Sequence, residues 1–360
     1  MSWLLIVSVT LALAAANGAN DNVKGAATLI GSGVVGYRVA ISLATIATAL
    51  GGLASIFLVN GLLAAFSGKG IVPDALTVSA PFLEAVGLGA AATVALATRL
   101  GMPISTTHAL IGGLLGAGLA VDPTSVHLLA ALNAMLLPLL LSPLLAIALA
   151  LLLVPLLKRR HSANAAACLC SEPGLPETAA GAALVNSVIV LGVDSEAKCQ
   201  PIPGRVIWKL RSGWLLDAAH LCSAAAVSFA RGLNDTPKIA ALMVAAGFGV
   251  ASATSLVIVA MALGGWLAAQ RVAETLAFRV TRMDVSEGLG GNLVTALLVM
   301  GASRFGLPVS TTHVSTGALF GIGLGNHSTR PSVIRQILLA WLVTLPVAAT
   351  LALLTRLLLI

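Results

Sequence analysis

Long apolar runs and short polar breaks alternate along the whole chain. Residues 3–35 form one apolar stretch with a polar insert between positions 17 and 24, and residues 39–66 form a second. A third run covers about 76–97, and a Gly-Pro break separates it from a fourth at 105–120. About 20 apolar residues in a helix cross a hydrocarbon core of ~30 Å. The pattern therefore predicts membrane helices, the first of them broken by its polar insert.

The same plan is repeated after the only long polar segment. We divide the chain into a first membrane repeat (1–157), a polar loop (158–212) and a second membrane repeat (213–360). Each repeat has about five membrane segments when a hairpin counts as two, and three full crossings remain if the hairpins are re-entrant. An odd number of crossings inverts the second copy. The prediction is an all-α polytopic membrane protein of two inverted repeats, with broken helices and re-entrant helical hairpins.

Composition places the chain in a membrane. It is 58% hydrophobic and 9% charged, with a mean hydropathy of +1.01, whereas a soluble domain is roughly 25% charged. We expect a multi-pass protein of the plasma or inner membrane, surrounded by lipid, with a homo-oligomer as an open alternative. The formal charge of +7 does not indicate a nucleic-acid partner, because basic residues at both ends of the polar loop predict a cytoplasmic loop instead. They are Lys158, Arg159, Arg160, Arg205, Lys209 and Arg211.

One phrase, Pro-x-Ser-Thr-Thr-His, occurs in both repeats. Hydroxyl residues after a proline are good helix N-caps, so ordinary capping is one interpretation. Helix starts also bind anions, and the duplicated triplet favours an oxyanion site between two such starts. The histidines could exchange protons near neutral pH or make structural hydrogen bonds, and we favour the second role. The residues are Ser105, Thr106, Thr107 and His108, then Ser310, Thr311, Thr312 and His313.

A second duplicated phrase is Asn-Asp followed by a lysine. It reads Asn20-Asp21 with Lys24, and Asn234-Asp235 with Lys238. A carboxylate inside a membrane is costly and marks a functional site by default. Carboxylate and amide oxygens suit a hard cation such as Na⁺. The alternative is an ion pair with the lysine three residues on, which shares a helix face with the acid. We favour Na⁺, because the asparagine oxygens are not needed by an ion pair.

These phrases together resemble the inorganic phosphate transporter family, the Pit-type phosphate permeases. The matching residues are Gly18-Ala19-Asn20-Asp21, Gly232-Leu233-Asn234-Asp235 and both Pro-x-Ser-Thr-Thr-His phrases, and the resemblance covers nearly the whole chain. It implies a helical inverted-repeat fold and uptake of phosphate with Na⁺ or H⁺. It assigns phosphate contacts to the six serines and threonines of the triplets. It assigns the coupling ion to Asn20, Asp21, Asn234 and Asp235.

The chain departs from the family pattern in charge. Lys24 and Lys238 stand where a second asparagine is usual, and Arg231 takes the place of a frequent histidine. Added positive charge could replace a bound cation or tune the site. The leading interpretation is phosphate symport with Na⁺, or H⁺, by alternating access and without a cofactor. Sulfate uptake and an anion channel are the alternatives, and an enzyme is disfavoured because no nucleophile-elbow motif surrounds the serines.

Overall fold

The computed structural model describes residues 2–58, 60–158, 166–173, 189–195, 206–211 and 214–359. The first half contains α1 (Ser2–Asp21), α2 (Val23–Gly31), α3 (Tyr37–Leu58), α4 (Asn60–Ala65), α5 (Asp74–Thr77), α6 (Ala80–Arg99), α7 (Thr106–Leu119), α8 (Leu128–Ala131) and α9 (Leu137–Lys158). The second half contains α10 (Trp214–Ala245), α11 (Val250–Ala268), α12 (Gln270–Glu274), α13 (Val285–Arg304), α14 (Thr311–Gly325) and α15 (Pro331–Leu358). Single π-helical turns precede α9, at Leu132–Leu136, and follow α12, at Thr275–Arg279.

Within these described residues, seven helical stretches are long and apolar enough to cross a membrane. Many large apolar side chains on them remain exposed, as in α9 and α15, which is the surface that lipid would cover. The protein is a multi-pass helical membrane protein, and the predicted all-α polytopic class is confirmed. The inversion of the second repeat relative to the first stays a prediction.

The polar loop adds a small sheet to this helical fold. Strands β1 (Ala166–Pro173), β2 (Ile189–Ser195) and β3 (Val206–Arg211) pair antiparallel in the order β2-β1-β3. Residues 184–193 form a short apolar run within the loop, and such a run suits a strand or a buried turn equally well. Strand β2 covers the end of that run. The domain limits and the cytoplasmic side of this loop stay predictions.

Helices at equivalent positions in the two halves pack against equivalent helices of the opposite half. Helix α1 packs against α11 as α10 packs against α3, and α7 packs against α15 as α14 packs against α9. Close backbone approaches follow the same rule. A Cβ atom added to Gly18 would overlap the carbonyl of Met261, and one added to Gly232 would overlap the carbonyl of Thr48. Small residues permit such contacts between membrane helices. The exchange supports the duplication inferred from the motifs.

The Asn-Asp phrases lie on helical backbone. In the first half α1 ends at Asp21 and α2 begins at Val23, but the intervening Asn22 keeps helical angles and its N–H donates to the Gly18 carbonyl at 3.0 Å. In the second half α10 passes through the phrase as one helix. The predicted helix break is therefore a one-residue interruption in the first half and is absent from α10. A lysine three residues after the acid therefore lies on the same face of the helix as that acid.

Each Pro-x-Ser-Thr-Thr-His phrase forms the tip of a helical hairpin. Helices α6 and α7 pack together in one hairpin, and α13 and α14 in the other. In both hairpins the chain reverses at a glycine with positive φ, which is Gly101 at 69° in one and Gly306 at 67° in the other. Helix α7 has 14 residues and α14 has 15. At 1.5 Å per residue they span only about 21–23 Å, less than a hydrocarbon core of ~30 Å. The short second leg suits a hairpin that re-enters the membrane, whereas the first legs α6 and α13, with 20 residues each, are long enough to cross it. Re-entry of the hairpins stays a prediction.

Candidate functional site

The two hairpin tips carry matching helix starts. Ser105 is the N-cap of α7, and its hydroxyl accepts a hydrogen bond from the His108 N–H at 3.1 Å. Ser310 caps α14 in the same way, accepting from the His313 N–H at 3.2 Å. All four residues are buried. Capping, one of the two interpretations of the triplet, thus occupies both serines.

The tips also contact each other. The Thr312 hydroxyl donates to the Ile104 carbonyl at 2.6 Å, and the Thr107 hydroxyl donates to the Val309 carbonyl at 3.4 Å. Thr107 and Thr312 hold equivalent places in the repeats, so the two bonds are reciprocal. Both threonines are at most 2% exposed. The tertiary structure therefore brings together the triplets from opposite halves of the chain.

Each lysine reaches across to the hairpin of the other half. Lys24 Nζ donates to Thr312 Oγ1 at 2.5 Å and to Thr311 Oγ1 at 3.1 Å, and lies 2.6 Å from Asp21 Oδ1. The ion-pair alternative is therefore realised in the first half, while the ammonium group also serves the second hairpin.

The second lysine mirrors this arrangement more loosely. Lys238 Nζ donates to Thr107 Oγ1 at 2.9 Å and to the Val309 carbonyl at 2.7 Å. Its distance to Asp235 Oδ1 is 3.7 Å. Both ammonium groups are buried and lie against the hydroxyls that the sequence assigned to an anion.

Asn17 links the two carboxylates and was not singled out by sequence. Its Nδ2 lies 3.0 Å from Asp21 Oδ2, 3.4 Å from Asp235 Oδ2 and 2.9 Å from Thr106 Oγ1. Thr106 and Thr311 in turn donate to Asp21 and Asp235 at 3.4 and 3.3 Å. The signal in the sequence was an asparagine at the start of the polar insert, four residues and about one helical turn before Asp21.

Arg231 brings a third cation to this cluster. Its side chain is buried, and Nε lies 3.7 Å from Asp235 Oδ2. Lys24, Lys238 and Arg231 thus face the two carboxylates Asp21 and Asp235. With all five groups ionised, this cluster carries one net positive charge, which suits an anion in a low-dielectric site.

The asparagines of the two phrases fasten the hairpin tips. Asn20 Nδ2 donates to Thr98 Oγ1 and to the Met102 carbonyl, both at 3.0 Å, and Asn20 Oδ1 accepts from the Ile104 N–H at 3.1 Å. Asn234 contacts the counterparts of Ile104 and Thr98 with donor and acceptor reversed. It donates to the Val309 carbonyl at 3.2 Å and accepts from Ser303 Oγ at 3.1 Å. These amides therefore position both tips, and their role as cation ligands stays a prediction.

The two histidines lie side by side one turn behind the tips. The ring centroids of His108 and His313 are 4.6 Å apart, and His313 packs against Trp341 at 4.0 Å. Trp341 Nε1 donates to the Pro103 carbonyl at 3.2 Å, and His313 Nδ1 lies 3.3 Å from the Leu139 carbonyl. The rings are thus built into the packing between hairpins, and any tuning of charge by them stays a prediction.

Fold and site together define a class of protein. Two helical hairpins from opposite halves of a membrane protein meet at a buried cluster of hydroxyl, ammonium and guanidinium donors. Paired broken or short segments at the interface of two repeats are typical of secondary transporters. A model of the phosphate transporter family matches residues 17–352, and the chain belongs to this family.

Individual relatives agree with this assignment. The chain is 26% identical to the chloroplastic inorganic phosphate transporter 2-1 of Arabidopsis thaliana, over 93% of this chain and 68% of that protein. It is 29% identical to a protein of Mycobacterium bovis described as a probable low-affinity inorganic phosphate transporter, over 96% and 75% of the two chains. A solved structure titled as the sodium-dependent phosphate transporter has the same fold, with a TM-score of 0.74 at 21% identity, over 99% of this chain and 98% of that one.

Proposed function

We propose that this protein carries inorganic phosphate across the membrane as a secondary transporter, binding it between the two hairpin tips. The reciprocal crossing of the lysines carries the proposal: Lys24 contacts Thr311 and Thr312, and Lys238 contacts Thr107. Each half thus supplies a cation to the hydroxyls of the other. An anion held this way contacts both repeats at once, so movement of one repeat against the other exposes it to either side. The family is one of transporters, so no enzymatic reaction is proposed.

Phosphate fits the donors of this site. Ammonium and hydroxyl groups make charge-assisted hydrogen bonds to phosphate oxygens. On binding, these oxygens would replace the bonds that Thr107 and Thr312 now make to carbonyls of the opposite tip. The six triplet residues Ser105, Thr106, Thr107, Ser310, Thr311 and Thr312 remain our proposed phosphate contacts.

The acids favour phosphate over sulfate. At neutral pH phosphate retains at least one proton that can be donated, whereas sulfate retains none. Asp21 and Asp235 lie beside the proposed site and are hydrogen-bond acceptors when ionised. A protonated phosphate can donate a hydrogen bond to these carboxylates. A sulfate cannot, so its oxygens would face carboxylate lone pairs that have no donor. The family assignment points the same way.

We propose Na⁺ as the coupling ion, held by oxygens of Asn20, Asp21, Asn234 and Asp235. Carboxylate and amide oxygens are suitable ligands for a hard cation. The solved structure with the same fold is titled as sodium-dependent. The amide oxygens of Asn20 and Asn234 accept hydrogen bonds from the Ile104 N–H and Ser303 Oγ, and each keeps a second lone pair that could ligate Na⁺. An ion held in this way would be linked to the hairpin tips through the same amides.

A proton is the second candidate coupling ion, and the ion pairs of Asp21 and Asp235 favour it. Lys24 already neutralises Asp21 at 2.6 Å, and Arg231 and Lys238 both lie 3.7 Å from Asp235. Acids with such partners need no metal cation to remain buried as charged groups. A proton moving among these groups could then provide the coupling.

Transport into proteoliposomes tests both parts of the proposal. We expect uptake of radiolabelled phosphate driven by an inward Na⁺ gradient, with at most weak competition from sulfate. Uptake in Na⁺-free buffer driven only by an inward proton gradient would move the coupling to H⁺. Absence of phosphate uptake under either gradient, with the folded protein reconstituted, would contradict the function itself. Arg335→Ala, which removes an exposed charge on α15, is the matched control.

A further inference from the structure

Oxygen atoms surround the Arg231 guanidinium group. Nη2 donates to Asn17 Oδ1 at 2.6 Å and to the Asn17 main-chain carbonyl at 3.3 Å. Nη1 donates to Asn22 Oδ1 at 3.1 Å and to Thr48 Oγ1 at 3.3 Å. These four neutral oxygens come from α1, α3 and the α1–α2 junction. Arg231 itself is 1% exposed, so they bind a cation out of reach of solvent.

The chemistry of this oxygen cage is that of a metal-ion site. Main-chain carbonyl, amide and hydroxyl oxygens next to a carboxylate are the usual ligands of alkali and other hard cations. Asp235 supplies the carboxylate, 3.7 Å from Arg231 Nε. The guanidinium thus takes the place that a free cation would fill. An arginine also keeps its charge throughout the physiological pH range.

Among the residues that the structure describes, the other half has no such cage at the equivalent place. Asn17 precedes Asp21 by four residues, as Arg231 precedes Asp235, so these two are counterparts. The counterpart of Asn22 is Thr236, which follows the other acid, and the counterpart of Thr48 is Met261, which faces the other glycine. Thr236 Oγ1 contacts the Met261 sulfur at 3.8 Å. A thioether is a poor ligand for a hard cation, so the duplicated site is not itself a second cage.

We propose that Arg231 is a tethered cation that occupies an alkali-cation site at the edge of the phosphate site. Its charge supports the anion in every state of the cycle, but it cannot be released with the anion. It therefore contributes to phosphate binding and not to the coupling energy. This inference rests on the proposed function. It adds that wild type needs one free cation fewer for phosphate binding than a variant that lacks the Arg231 side chain.

The test replaces the arginine and asks whether a free cation takes its place. Arg231→Ala vacates the cage, Arg231→Gln keeps much of the side-chain volume without charge, and Arg335→Ala removes an exposed charge elsewhere. Binding of radiolabelled phosphate to each purified protein is measured by equilibrium dialysis against increasing NaCl, with choline chloride keeping ionic strength constant. A parallel series adds low concentrations of guanidinium chloride.

We expect Arg231→Ala without Na⁺ to bind phosphate roughly tenfold to a hundredfold more weakly than wild type, because the buried cluster loses one of its three positive charges. Na⁺ or guanidinium should restore phosphate binding to Arg231→Ala. The Na⁺ dependence of phosphate binding should show that this variant takes up about one more Na⁺ per phosphate than wild type does. Identical cation dependence in the variant, wild type and Arg335→Ala would overturn the proposal. Lack of phosphate binding by wild type would instead count against the proposed function.

Stability gives a readout that does not depend on phosphate. Without phosphate, Na⁺ and guanidinium should raise the unfolding temperature of Arg231→Ala more than that of wild type or Arg335→Ala. They should raise that of Arg231→Gln less than that of Arg231→Ala, because the glutamine side chain still fills much of the cage. This applies equally if the variants fold only when a cation is added. Variants that gain nothing from either cation, or that fail to fold in their presence, would show that the cage does not accept a free cation.

Discussion

The Thr312 hydroxyl lies 2.6 Å from the Ile104 carbonyl and donates a hydrogen bond to it, joining the tip of one hairpin to the tip of the other. The counterpart bond, from Thr107 to Val309, is longer at 3.4 Å. The lysine contacts differ in the same sense, with 2.5 Å from Lys24 to Thr312 and 2.9 Å from Lys238 to Thr107. The two pseudo-equivalent sides of the site are therefore held unequally, and substitutions on the two sides should have unequal effects.

Removing the hairpin hydroxyls should weaken phosphate binding. Thr312→Val and Thr107→Val keep side-chain volume but delete a donor, which leaves an anion oxygen unpaired at about 1–3 kcal/mol. We expect a loss of affinity of roughly tenfold to a hundredfold, measured by dialysis with radiolabelled phosphate. Thr350→Val is the control, since this exposed threonine lies on α15 and its hydroxyl donates to the Pro346 carbonyl of its own helix. Wild-type affinity in both hairpin variants would remove the hydroxyls from the site.

Removing Lys24 should destabilise the protein more than removing Lys238. Lys24→Met strips Asp21 of its 2.6 Å partner, and breaking a buried ion pair costs about 3–5 kcal/mol. Lys238→Met should cost less, because Asp235 keeps Arg231 at 3.7 Å. Unfolding temperatures in detergent provide the measurement.

A double variant separates charge from packing in that experiment. Lys24→Met combined with Asp21→Asn leaves no uncompensated carboxylate, so it should recover most of the lost stability. If the double variant is as unstable as Lys24→Met alone, the ammonium group stabilises the fold through its threonine contacts rather than through the ion pair.

Neutralising the acids should uncouple transport from its driving ion. Asp21→Asn and Asp235→Asn remove the charged oxygens proposed to hold Na⁺, and we expect each to abolish accumulation of phosphate against its gradient. Exchange of internal for external phosphate, which needs no net ion movement, should be less affected. The two assays are compared in the same proteoliposomes. Undiminished Na⁺-driven accumulation in both variants would place the coupling ion elsewhere.

Gly18 and Gly232, which each pack against a main-chain carbonyl of the opposite half, should tolerate no side chain. Gly18→Ala and Gly232→Ala would each push a methyl group into a main-chain carbonyl of the opposite half, at a cost of about 1–3 kcal/mol. Gly301→Ala is the matched control, since among the described residues no atom outside its own helical backbone lies within 4 Å of the added Cβ. That change should be neutral or stabilise α13 by up to about 1 kcal/mol. Equal unfolding temperatures for all three would mean that the helices can separate to admit the methyl group.

Residues 158–212 should face the cytoplasm. Cys199 lies in this loop, outside the residues that the structure describes, so the prediction rests on the basic residues at the loop ends. A variant that keeps Cys199 and replaces Cys168, Cys170 and Cys222 by alanine should react with an impermeant maleimide only after cells are permeabilised. A cysteine-free variant gives the background. Labelling in intact cells would reverse the orientation.

Much of this fold could be predicted from the sequence alone. The apolar runs determined a helical membrane protein, because lipid offers no partners to backbone amides and only regular elements satisfy them. The duplicated phrases marked the hairpin tips and the candidate polar groups, including the triplets that begin at Ser105 and Ser310. The strand in the loop stayed open between two interpretations, since a short run of apolar residues does not distinguish a strand from a buried turn.

What the sequence left open was which residues meet. Local spacing allowed Lys24 to pair with Asp21, and it does, but it did not reveal that the same ammonium group reaches Thr312, far along the chain. Nor did it indicate that Asn17 lies beside both acids or that Arg231 is enclosed by oxygens of the first half. Those contacts exist because equivalent helices of the two halves exchange partners. Periodicity reports which face of a helix is apolar, whereas the choice of partner for a polar group depends on packing between distant segments, and only the tertiary structure decides it.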